Sequence, residues 1–431
     1  MKIKRGIVIA LLTMTALPAL VACENDQDIS SEINDLNGQH ETSIYEYVPQ
    51  QIIEEPAYDD YEYDYEYEIL EEISEETVFA LSVRDWDTFA WELEHFADIR
   101  QSMHFDEEMQ YGELSVKYIQ FINDYLYART PFSYREKETA VWIVEELLAM
   151  GYSWEDIYIQ EFPLASYRRW EDMESLVAYT GIWSTRNGFL STELRHYTQL
   201  SQNVILTVPG RSESIIIAGA HYDSWPVHGA SDNASGMALL LESARRMLYM
   251  DNYHTIMYIF FGAEEVGLQG ARYVVDNLTE EQSDNLLLMI NADVLFEGSY
   301  LFYSVAYSSG EFDVEANRFH LGANAVAEQV DSIAYGLDFE IVAYPYVLHN
   351  IASDHIPFLL RGHTVVNLMG LCSAERSNSN VTILIEGSTF VLPYLHTMRD
   401  EFHYIEERRP GKIAENMYAF SIFLEAILLM T

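Results

Sequence analysis

Ten consecutive residues in the middle of the chain read Ile215-Ile216-Ile217-Ala218-Gly219-Ala220-His221-Tyr222-Asp223-Ser224. The first six lack any charged side chain, which is the pattern of a strand that is buried on both faces of a sheet. The next four include an imidazole and a carboxylate, two groups that bind metals in proteins. The stretch therefore predicts a buried strand whose carboxyl end opens into a functional loop.

Three more apolar runs of this kind follow, at residues 256–261, 286–290 and 364–368. A predicted helix over 234–250 separates the first two runs of the four, and Asp232 is placed to cap it. Alternation of buried strands and helices predicts an α/β fold of three layers, helix–sheet–helix, with a mostly parallel central sheet. We expect a single catalytic domain over residues 78–431.

Elements outside this central block are predicted from the spacing of apolar residues. Spacings of three and four predict amphipathic helices over 114–122 and 138–148, the second ended by Gly151, and a weaker helix over 85–109. The run at 203–208 predicts a strand that is followed by a turn. Glu415 and Glu425 interrupt the apolar stretch at 413–430, which we interpret as an amphipathic packing helix.

Residues that follow the predicted strands carry the chemistry, because ligands bind outside the carboxyl ends of strands in an open α/β sheet. These positions hold His221 and Asp223, then Asp232 at the start of the helix, Glu264 and Glu265, Asp293, and finally His396 with Asp400. Histidine and carboxylates without cysteine are typical of hydrolytic zinc sites. Two imidazoles and three carboxylates suit two ions that share a bridging carboxylate. One glutamate of the adjacent pair is then left over as a candidate general base.

Six segments resemble the di-zinc exopeptidases of the secreted bacterial leucyl aminopeptidase and aminopeptidase Y type. In chain order they are residues 221–224, 229–236, 262–270, 291–293, 353–355, and His396-Thr397 with Asp400. Each segment is weak alone, but the ordered set is highly specific and covers roughly residue 114 to the end of the chain. The resemblance implies a zinc exopeptidase fold.

The resemblance also implies a role for each residue of the set. The implied ligands of two zinc ions are the bridging Asp232, with His221 and Asp293 at one ion and Glu265 and His396 at the other. Glu264 would be the general base, and the carboxylate of Asp223 would fix the tautomer of the His221 imidazole. The implied reaction is hydrolysis of the N-terminal bond of peptide substrates. For Asp232, the role of helix cap stays open beside that of ligand.

The first residues of the chain have the composition of a secretion signal. A basic start precedes an uncharged apolar stretch at 7–17, and Leu20-Val21-Ala22-Cys23 follows. This ending resembles the lipobox of bacterial lipoproteins, which implies a signal peptide over 1–22 and a lipid on Cys23. The alternative is an ordinary cleaved signal. Either way we expect a protein outside the cytoplasm, lipid-anchored to the outer face of the cytoplasmic membrane or secreted.

Residues 23–77 form an acidic, tyrosine-rich segment, which has no Lys or Arg between residues 24 and 76. We predict a disordered tether, because like charges repel and few aliphatic residues can build a core. It would serve as a spacer, or alternatively as a docking tail for a basic partner or a cation. The whole chain has a net charge of −45, which argues against binding to nucleic acid.

Several functions compete for this set of residues. An aminopeptidase is favoured, and the alternatives on the same scaffold are a carboxypeptidase and a glutaminyl cyclase. The cyclases of this scaffold use one zinc ion, so retention of all five ligand positions favours two ions and hydrolysis. A metal-free, peptide-binding lipoprotein would have lost ligands or Glu264, and neither is missing. An interaction protein that acts through its acidic tail is a further alternative.

The chain has two cysteines in all, Cys23 and Cys372, so a fold held together by several disulfide bonds is excluded.

Overall fold

The computed structural model describes residues 109–163, 200–313, 318–321, 324–343, 352–373, 382–385 and 388–431. The predicted signal peptide and acidic tether lie outside these residues, as does almost all of the helix predicted at 85–109. No helix in the described ranges combines the length and the apolar composition that crossing a bilayer requires.

The helices predicted near the start of the described chain are present. Ser133 caps the second of them, since its Oγ accepts a hydrogen bond from the Glu136 N–H (3.2 Å), and Gly151 ends it with a φ of 115°. This left-handed conformation is one that glycine adopts without strain. The described helices are α1 Glu113–Tyr125, α2 Tyr134–Met150, α3 Ser235–Met247, α4 Gln269–Asn277, α5 Glu280–Asn285, α6 Ala325–Tyr335, α7 His355–Leu360, α8 Phe402–Arg408 and α9 Lys412–Leu428.

The described strands are β1 Ile157–Pro163, β2 Leu200–Val208, β3 Ile215–His221, β4 Thr255–Phe261, β5 Leu286–Ala292, β6 Tyr300–Ala306, β7 Ser308–Asp313, β8 Arg318–Leu321, β9 Val342–Ala343, β10 Val365–Ser373, β11 Thr382–Ile385 and β12 Ser388–Val391. Their order in the main sheet is β1-β2-β4-β3-β5-β10-β12-β11, and β6 pairs with both β10 and β9. Strands β7 and β8 form a separate hairpin.

The centre of the main sheet is parallel and its flanks are mixed. Strands β4, β3, β5 and β10 pair in parallel, whereas β2 pairs with β4, and β6 with β10, in the antiparallel sense. In the central register His221 pairs with Phe261, and Leu368 pairs with Ala292. The carboxyl ends of the parallel strands therefore meet at one edge.

Alternate residues of β3 point into two separate cores on the two faces of the sheet. Ile216 and Ala218 belong to a core built with α1, α2, α3 and α9, whereas Ile215 and Ile217 belong to a core built with α4 and α7. Every residue of β3 is buried, as its apolar run predicts. The helix–sheet–helix α/β fold is confirmed.

The predicted cap of α3 is wrong. The residue before the helix is Ala234, and no side chain caps the first turn in the way predicted for Asp232. Instead, a tight turn at Ala230–Ala234 precedes the helix, and the Oδ1 of Asn233 accepts a hydrogen bond from the Gly236 N–H (2.9 Å). The carboxylate of Asp232 is thereby left for other contacts.

A glycine lets this turn approach the sheet closely. A Cβ placed on Gly236 would lie 2.2 Å from the carbonyl oxygen of Ala292, at the end of β5. Any side chain at this position would push the start of α3 away from the strand. Gly236 therefore brings the turn that contains Asp232 next to Asp293.

Candidate metal centre

The carboxyl edge of the parallel strands gathers the five predicted ligands. His221 is the last residue of β3, Asp293 follows β5, and Glu265 lies in the loop between β4 and α4. Asp232 lies in the turn before α3, and His396 in the loop between β12 and α8. Five separate segments of the chain thus contribute one side chain each.

Asp232 stands between the two histidines. Its Oδ1 lies 3.2 Å from the Nε2 of His221, and its Oδ2 lies 3.0 Å from the Nε2 of His396. A second carboxylate accompanies each histidine: Asp293 Oδ1 lies 3.3 Å from His221 Nε2, and Glu265 Oε2 lies 3.1 Å from His396 Nε2. The side chains therefore form two groups of three that share Asp232.

The spacing of these atoms fits two tetrahedral metal ions. Within each group, all ligand atoms lie within 4.8 Å of one another. Zinc–ligand bonds near 2.05 Å with tetrahedral angles place neighbouring ligand atoms about 3.3 Å apart, close to the nitrogen–oxygen distances found here. The Oε1 of Glu265 is also buried and has no hydrogen-bond partner in the described chain. Imidazole nitrogen and carboxylate oxygen are the donors that zinc accepts.

Burial and mutual contact shift the pKa of Asp232, of Glu265 and of the two histidines. Burial alone would raise the pKa of Asp232, but hydrogen bonds from His221 and His396 hold it well below its usual value. Burial opposes protonation of both histidines, yet the surrounding carboxylates raise the pKa of each well above its usual value. Burial, partly opposed by His396, raises the pKa of Glu265 to about 7. Because buried negative charges that are not compensated cost free energy, several acidic groups at one place favour the binding of cations.

Asp223 contacts both the His221 imidazole and the loop of the two glutamates. The Nδ1 of His221 lies 3.1 Å from the main-chain oxygen of Asp223 but 3.5 Å from its Oδ1. The carboxylate instead accepts hydrogen bonds from the N–H groups of Glu264 (3.0 Å) and Glu265 (3.1 Å). The main-chain oxygen of Asp223 is therefore the nearer partner of the imidazole, and the carboxylate, which lies close to the same nitrogen, also holds the loop of the two glutamates.

Glu264 lies beside the ligands without joining either group of three. It is half-buried, and its carboxylate accepts no hydrogen bond from the described residues. Burial raises its pKa well above the usual value, with His221 opposing and Glu265 reinforcing this shift. An unengaged carboxylate next to a metal site is suited to accept a proton.

Two further buried carboxylates anchor the ligand loops. Asp400 accepts hydrogen bonds from the N–H groups of Ser231 (2.6 Å) and Asp232 (3.0 Å). Glu297 accepts one from the N–H of Tyr394 (2.6 Å), two residues before His396. Both are fully buried, and burial raises the pKa of Asp400 to about 7. The main-chain segments that carry Asp232 and His396 are thus fixed by hydrogen bonds to carboxylates of other segments.

The resembling segment 353–355 lies nearby but outside both groups. Asp354, directly before α7, is fully buried, and neither of its oxygens has a hydrogen-bond partner in the described chain. Burial raises its pKa well above the usual value. Ser353 Oγ accepts a hydrogen bond from the Asn291 side chain (2.9 Å). His355 is also fully buried.

One side of the site faces solvent. His396 is the most exposed of the five predicted ligands, with 34% of its side chain accessible, whereas His221 is 1% exposed. The indole of Trp225 stacks on the His396 ring, with centroids 4.6 Å apart and planes inclined by 23°. A ligand can approach from this side, along the Trp225–His396 wall.

Arg129, which the sequence analysis did not single out, holds the loop between His221 and Asp232. Its guanidinium is fully buried and donates to the main-chain oxygens of Leu126 (3.1 Å), Tyr222 (2.6 Å), His228 (3.0 Å) and Gly229 (2.8 Å). Burial lowers the pKa of Arg129 to about 10, while the acidic groups of the site oppose this shift. Arg129 therefore anchors the loop and supplies an internal positive charge.

Arg129→Met is expected to destabilise the protein by about 4 kcal/mol, because three buried carbonyl groups and the part-buried carbonyl of His228 lose a donor. Each costs ~1–3 kcal/mol unless another donor is present, as the Ala234 N–H is for Gly229. The melting temperature should fall by roughly 10 °C, measured by thermal unfolding. Arg272→Met is the matched control, since Arg272 is only partly buried and donates to the carbonyl of Gly267 (3.0 Å) outside the candidate site. Equal shifts in the two variants would contradict the role assigned to Arg129.

Sequence reasoning missed Arg129, Glu136 and Glu297, and it gave Asp354 and Asp400 no role. Only Glu136 carries a local indication, because Ser133 and Glu136 have the spacing of a capping box. The partner that links Glu136 to the site, Ala263, lies 127 residues away. Such a contact leaves no pattern in the sequence near either residue.

Comparison with known proteins points to one family. The model of Peptidase family M28 matches residues 203–421, slightly more than half of the 431 residues. Aminopeptidase YwaD of Bacillus subtilis is 28% identical over 223 residues, 50% of this chain and 43% of that protein. Probable lipoprotein aminopeptidase LpqL of Mycobacterium tuberculosis is 38% identical over 98 residues, 22% of this chain and 20% of that protein. The matches thus span less than half the length of each relative.

Solved structures show the same fold. BSAP, a zinc aminopeptidase from Bacillus subtilis, aligns with a TM-score of 0.53 and 18% identity over 75% of this chain and 95% of its own. An aminopeptidase from Aneurinibacillus sp. strain AM-1 aligns with a TM-score of 0.50 and 16% identity, over 73% and 92%. At these identities the similarity establishes the architecture.

Proposed function

The chain belongs to peptidase family M28, and we propose that it is a zinc-dependent aminopeptidase that hydrolyses the N-terminal bond of peptides at a dinuclear centre. The observation that carries this proposal is the position of Asp232, whose two oxygens face two different histidines. A carboxylate in this position suits a bridge between two ions. The names of YwaD and BSAP support the choice of an aminopeptidase.

The five side chains His221, Asp232, Glu265, Asp293 and His396 would hold the ions. When bound, zinc supplies Lewis acidity that polarises a carbonyl and lowers the pKa of water. The Nδ1–H of His221 donates to the main-chain oxygen of Asp223, which leaves Nε2 as the ligand atom. Glu264 accepts a proton from the attacking water on its carboxylate and then donates it to the leaving amine. Asp223 keeps Glu264 in place through its N–H.

The alternatives on the same scaffold make different demands on the site. A glutaminyl cyclase with one zinc ion needs one set of three donors, whereas this chain keeps donors for two. A metal-free binding protein has no need of an unengaged glutamate beside the ligands. These features support the hydrolase, and the substrate distinguishes an aminopeptidase from a carboxypeptidase.

We also propose that the enzyme acts outside the cytoplasm as a lipoprotein, with its signal peptide at 1–22, a lipid on Cys23, a tether at 23–77 and the catalytic domain at 78–431. The resemblance of residues 20–23 to a lipobox carries this proposal. A relative named as a lipoprotein aminopeptidase, LpqL, supports it.

The test compares four classes of substrate with the purified protein: free and N-acetylated aminoacyl-fluorophores, N-blocked peptides with a free C-terminus, and peptides with N-terminal glutamine. Aminoacyl-fluorophores with a free amino group should be hydrolysed, whereas their N-acetylated counterparts should not. Treatment with 1,10-phenanthroline should abolish turnover, and zinc should restore it in proportion up to two equivalents per chain. Restoration by calcium alone, or activity that survives full removal of zinc, would contradict the proposal.

The remaining outcomes identify the alternatives. Cleavage of N-blocked peptides at a free C-terminus would indicate a carboxypeptidase. Release of ammonia from peptides with N-terminal glutamine, with one zinc ion per chain, would indicate a cyclase. Binding of peptides without any turnover would indicate a binding protein.

A further inference from the structure

Glu136 is a fully buried carboxylate that lies before the segment matched by the family model. It is the third residue of α2 and has the spacing of a capping box with Ser133. Its side chain, however, does not return to the Ser133 N–H. One oxygen accepts from the N–H of Phe132 (2.6 Å), and the other leaves the helix. Glu136 therefore makes hydrogen bonds both at the start of its own helix and outside it.

The second oxygen reaches the loop that carries the two adjacent glutamates. Oε1 of Glu136 accepts hydrogen bonds from the N–H of Ala263 (2.9 Å) and from the Oγ of Ser201 (2.7 Å). Ala263 is the residue directly before Glu264, and it is fully buried. A buried N–H without an acceptor costs free energy, so the Glu136 contact stabilises this conformation of the loop.

The backbone of Ala263 needs this support. Its φ is 53°, in the left-handed region that non-glycine residues rarely adopt. The next two N–H groups, of Glu264 and Glu265, both donate to Asp223. The three consecutive N–H groups of residues 263–265 thus all donate to two buried carboxylates, those of Glu136 and Asp223. Because Glu136 comes from a separate helix, it fixes the loop relative to the body of the fold.

We propose that Glu136 is a positioning residue that holds the Glu264 carboxylate in its reactive orientation through the N–H of Ala263. The proposal rests on the proposed function, in which Glu264 transfers the proton. Loss of the contact lets Ala263 relax from its left-handed conformation and turns the following side chain. A displacement of about 1 Å at a reacting group can lower the rate by about 10²-fold.

The test measures kcat, KM and zinc content for Glu136→Ala in the full chain, with an aminoacyl-fluorophore as substrate. We expect kcat to fall by about 10- to 100-fold while KM stays within about threefold and both zinc equivalents remain. Glu136→Gln keeps an acceptor oxygen and should recover most of the lost kcat. Glu136→Ser, which leaves room for a water on the buried N–H groups, replaces Glu136→Ala if that variant does not fold, with the same expectation.

Two controls separate positioning from stability. Ser133→Ala removes the cap of the same helix, and Ser201→Ala removes the other donor to Oε1; both leave the Ala263 contact in place. We expect both to lower the melting temperature and to keep kcat. Wild-type kcat in folded, zinc-loaded Glu136→Ala would overturn the proposal, and so would a Gln variant as slow as the Ala variant. Recovery of kcat by excess zinc would also overturn it, because the defect would then lie in metal binding.

The proposed function can fail separately. If the wild-type protein turns over none of the substrate classes, the peptidase assignment fails before any variant is compared. If the wild-type protein is active and only the Glu136 series behaves like its controls, the positioning role alone fails.

Discussion

Glu264→Ala is expected to lower kcat by about 10²- to 10⁴-fold, or more, while the protein keeps two zinc ions per chain. The physical reason is that Glu264 belongs to neither group of ligands, whereas its carboxylate interacts electrostatically with His221 and Asp293 of one group and with Glu265 of the other. Removal of this side chain takes away the proton acceptor and leaves the ligands in place. The measurements are kcat on an aminoacyl-fluorophore and zinc content by elemental analysis.

Glu281→Ala is the matched control, because Glu281 is an exposed carboxylate of α5. Its kcat should equal that of the wild type. Glu264→Gln keeps the shape of the side chain but lacks its basicity, and it should be about as slow as the Ala variant. Near-normal turnover in either Glu264 variant would remove this residue from the role of general base. Loss of zinc in both would instead make Glu264 a ligand.

Asp232→Asn is expected to abolish the binding of both zinc ions and to lower kcat/KM by about 10³-fold or more. Asparagine has a single acceptor oxygen and no charge, and its amide NH₂ would face one of the two histidines. Because Asp232 is shared by both groups of donors, one substitution damages both. Zinc per chain and kcat/KM are the measurements, and circular dichroism verifies the fold.

Asp251→Asn provides the control for the loss of one carboxylate, since the side chain of Asp251 is 80% exposed. This variant should keep its zinc and its activity. Retention of two tightly bound ions in Asp232→Asn would contradict a bridging role. Retention of one ion would assign Asp232 to a single metal and would contradict the shared centre.

The candidate site illustrates how a fold accommodates many buried acidic groups. Asp223, Asp400, Glu297 and Glu136 each accept hydrogen bonds from main-chain N–H groups next to a ligand or to Glu264. Charge-assisted hydrogen bonds of this kind stabilise a carboxylate that burial would otherwise penalise. The same bonds restrict the loops, so the acidic groups that surround the ligands also position them.

The strands and the chemistry of their ends were predictable from the sequence. The run at 215–220 contains no polar side chain, and it became a strand that is buried throughout. The residues after each run could be selected because ligands gather at the carboxyl ends of parallel strands. Glu264, Glu265 and Asp293 needed no knowledge of distant contacts to be chosen.

Strand pairing and the capping of α3 could not be predicted from local sequence patterns. The antiparallel pairing of β2 with β4, and that of β12 with β10, depends on partners elsewhere in the chain. The predicted cap of α3 is Asp232, whereas in the structure Ala234 precedes the helix and the side chain of Asn233 accepts from the Gly236 N–H in the turn. Both residue types are good caps, so the local sequence does not distinguish them, and the turn is also held by the hydrogen bond from the Asp232 N–H to Asp400, 168 residues away.

The spacing of apolar residues, together with the residues that follow each apolar run, was thus sufficient to identify the class of fold and the donors of the candidate centre. Strand burial and helix amphipathicity depend on the pattern of residues that are close in sequence. The convergence of those donors, the division of the Asp232 oxygens between two histidines, and the anchoring by Arg129 and Glu136 were decided by packing. Arg129 and its partner Tyr222 are separated by 93 residues. Contacts over such distances form only when the sheet and its helices have assembled, since chain entropy opposes them until burial and hydrogen bonding compensate.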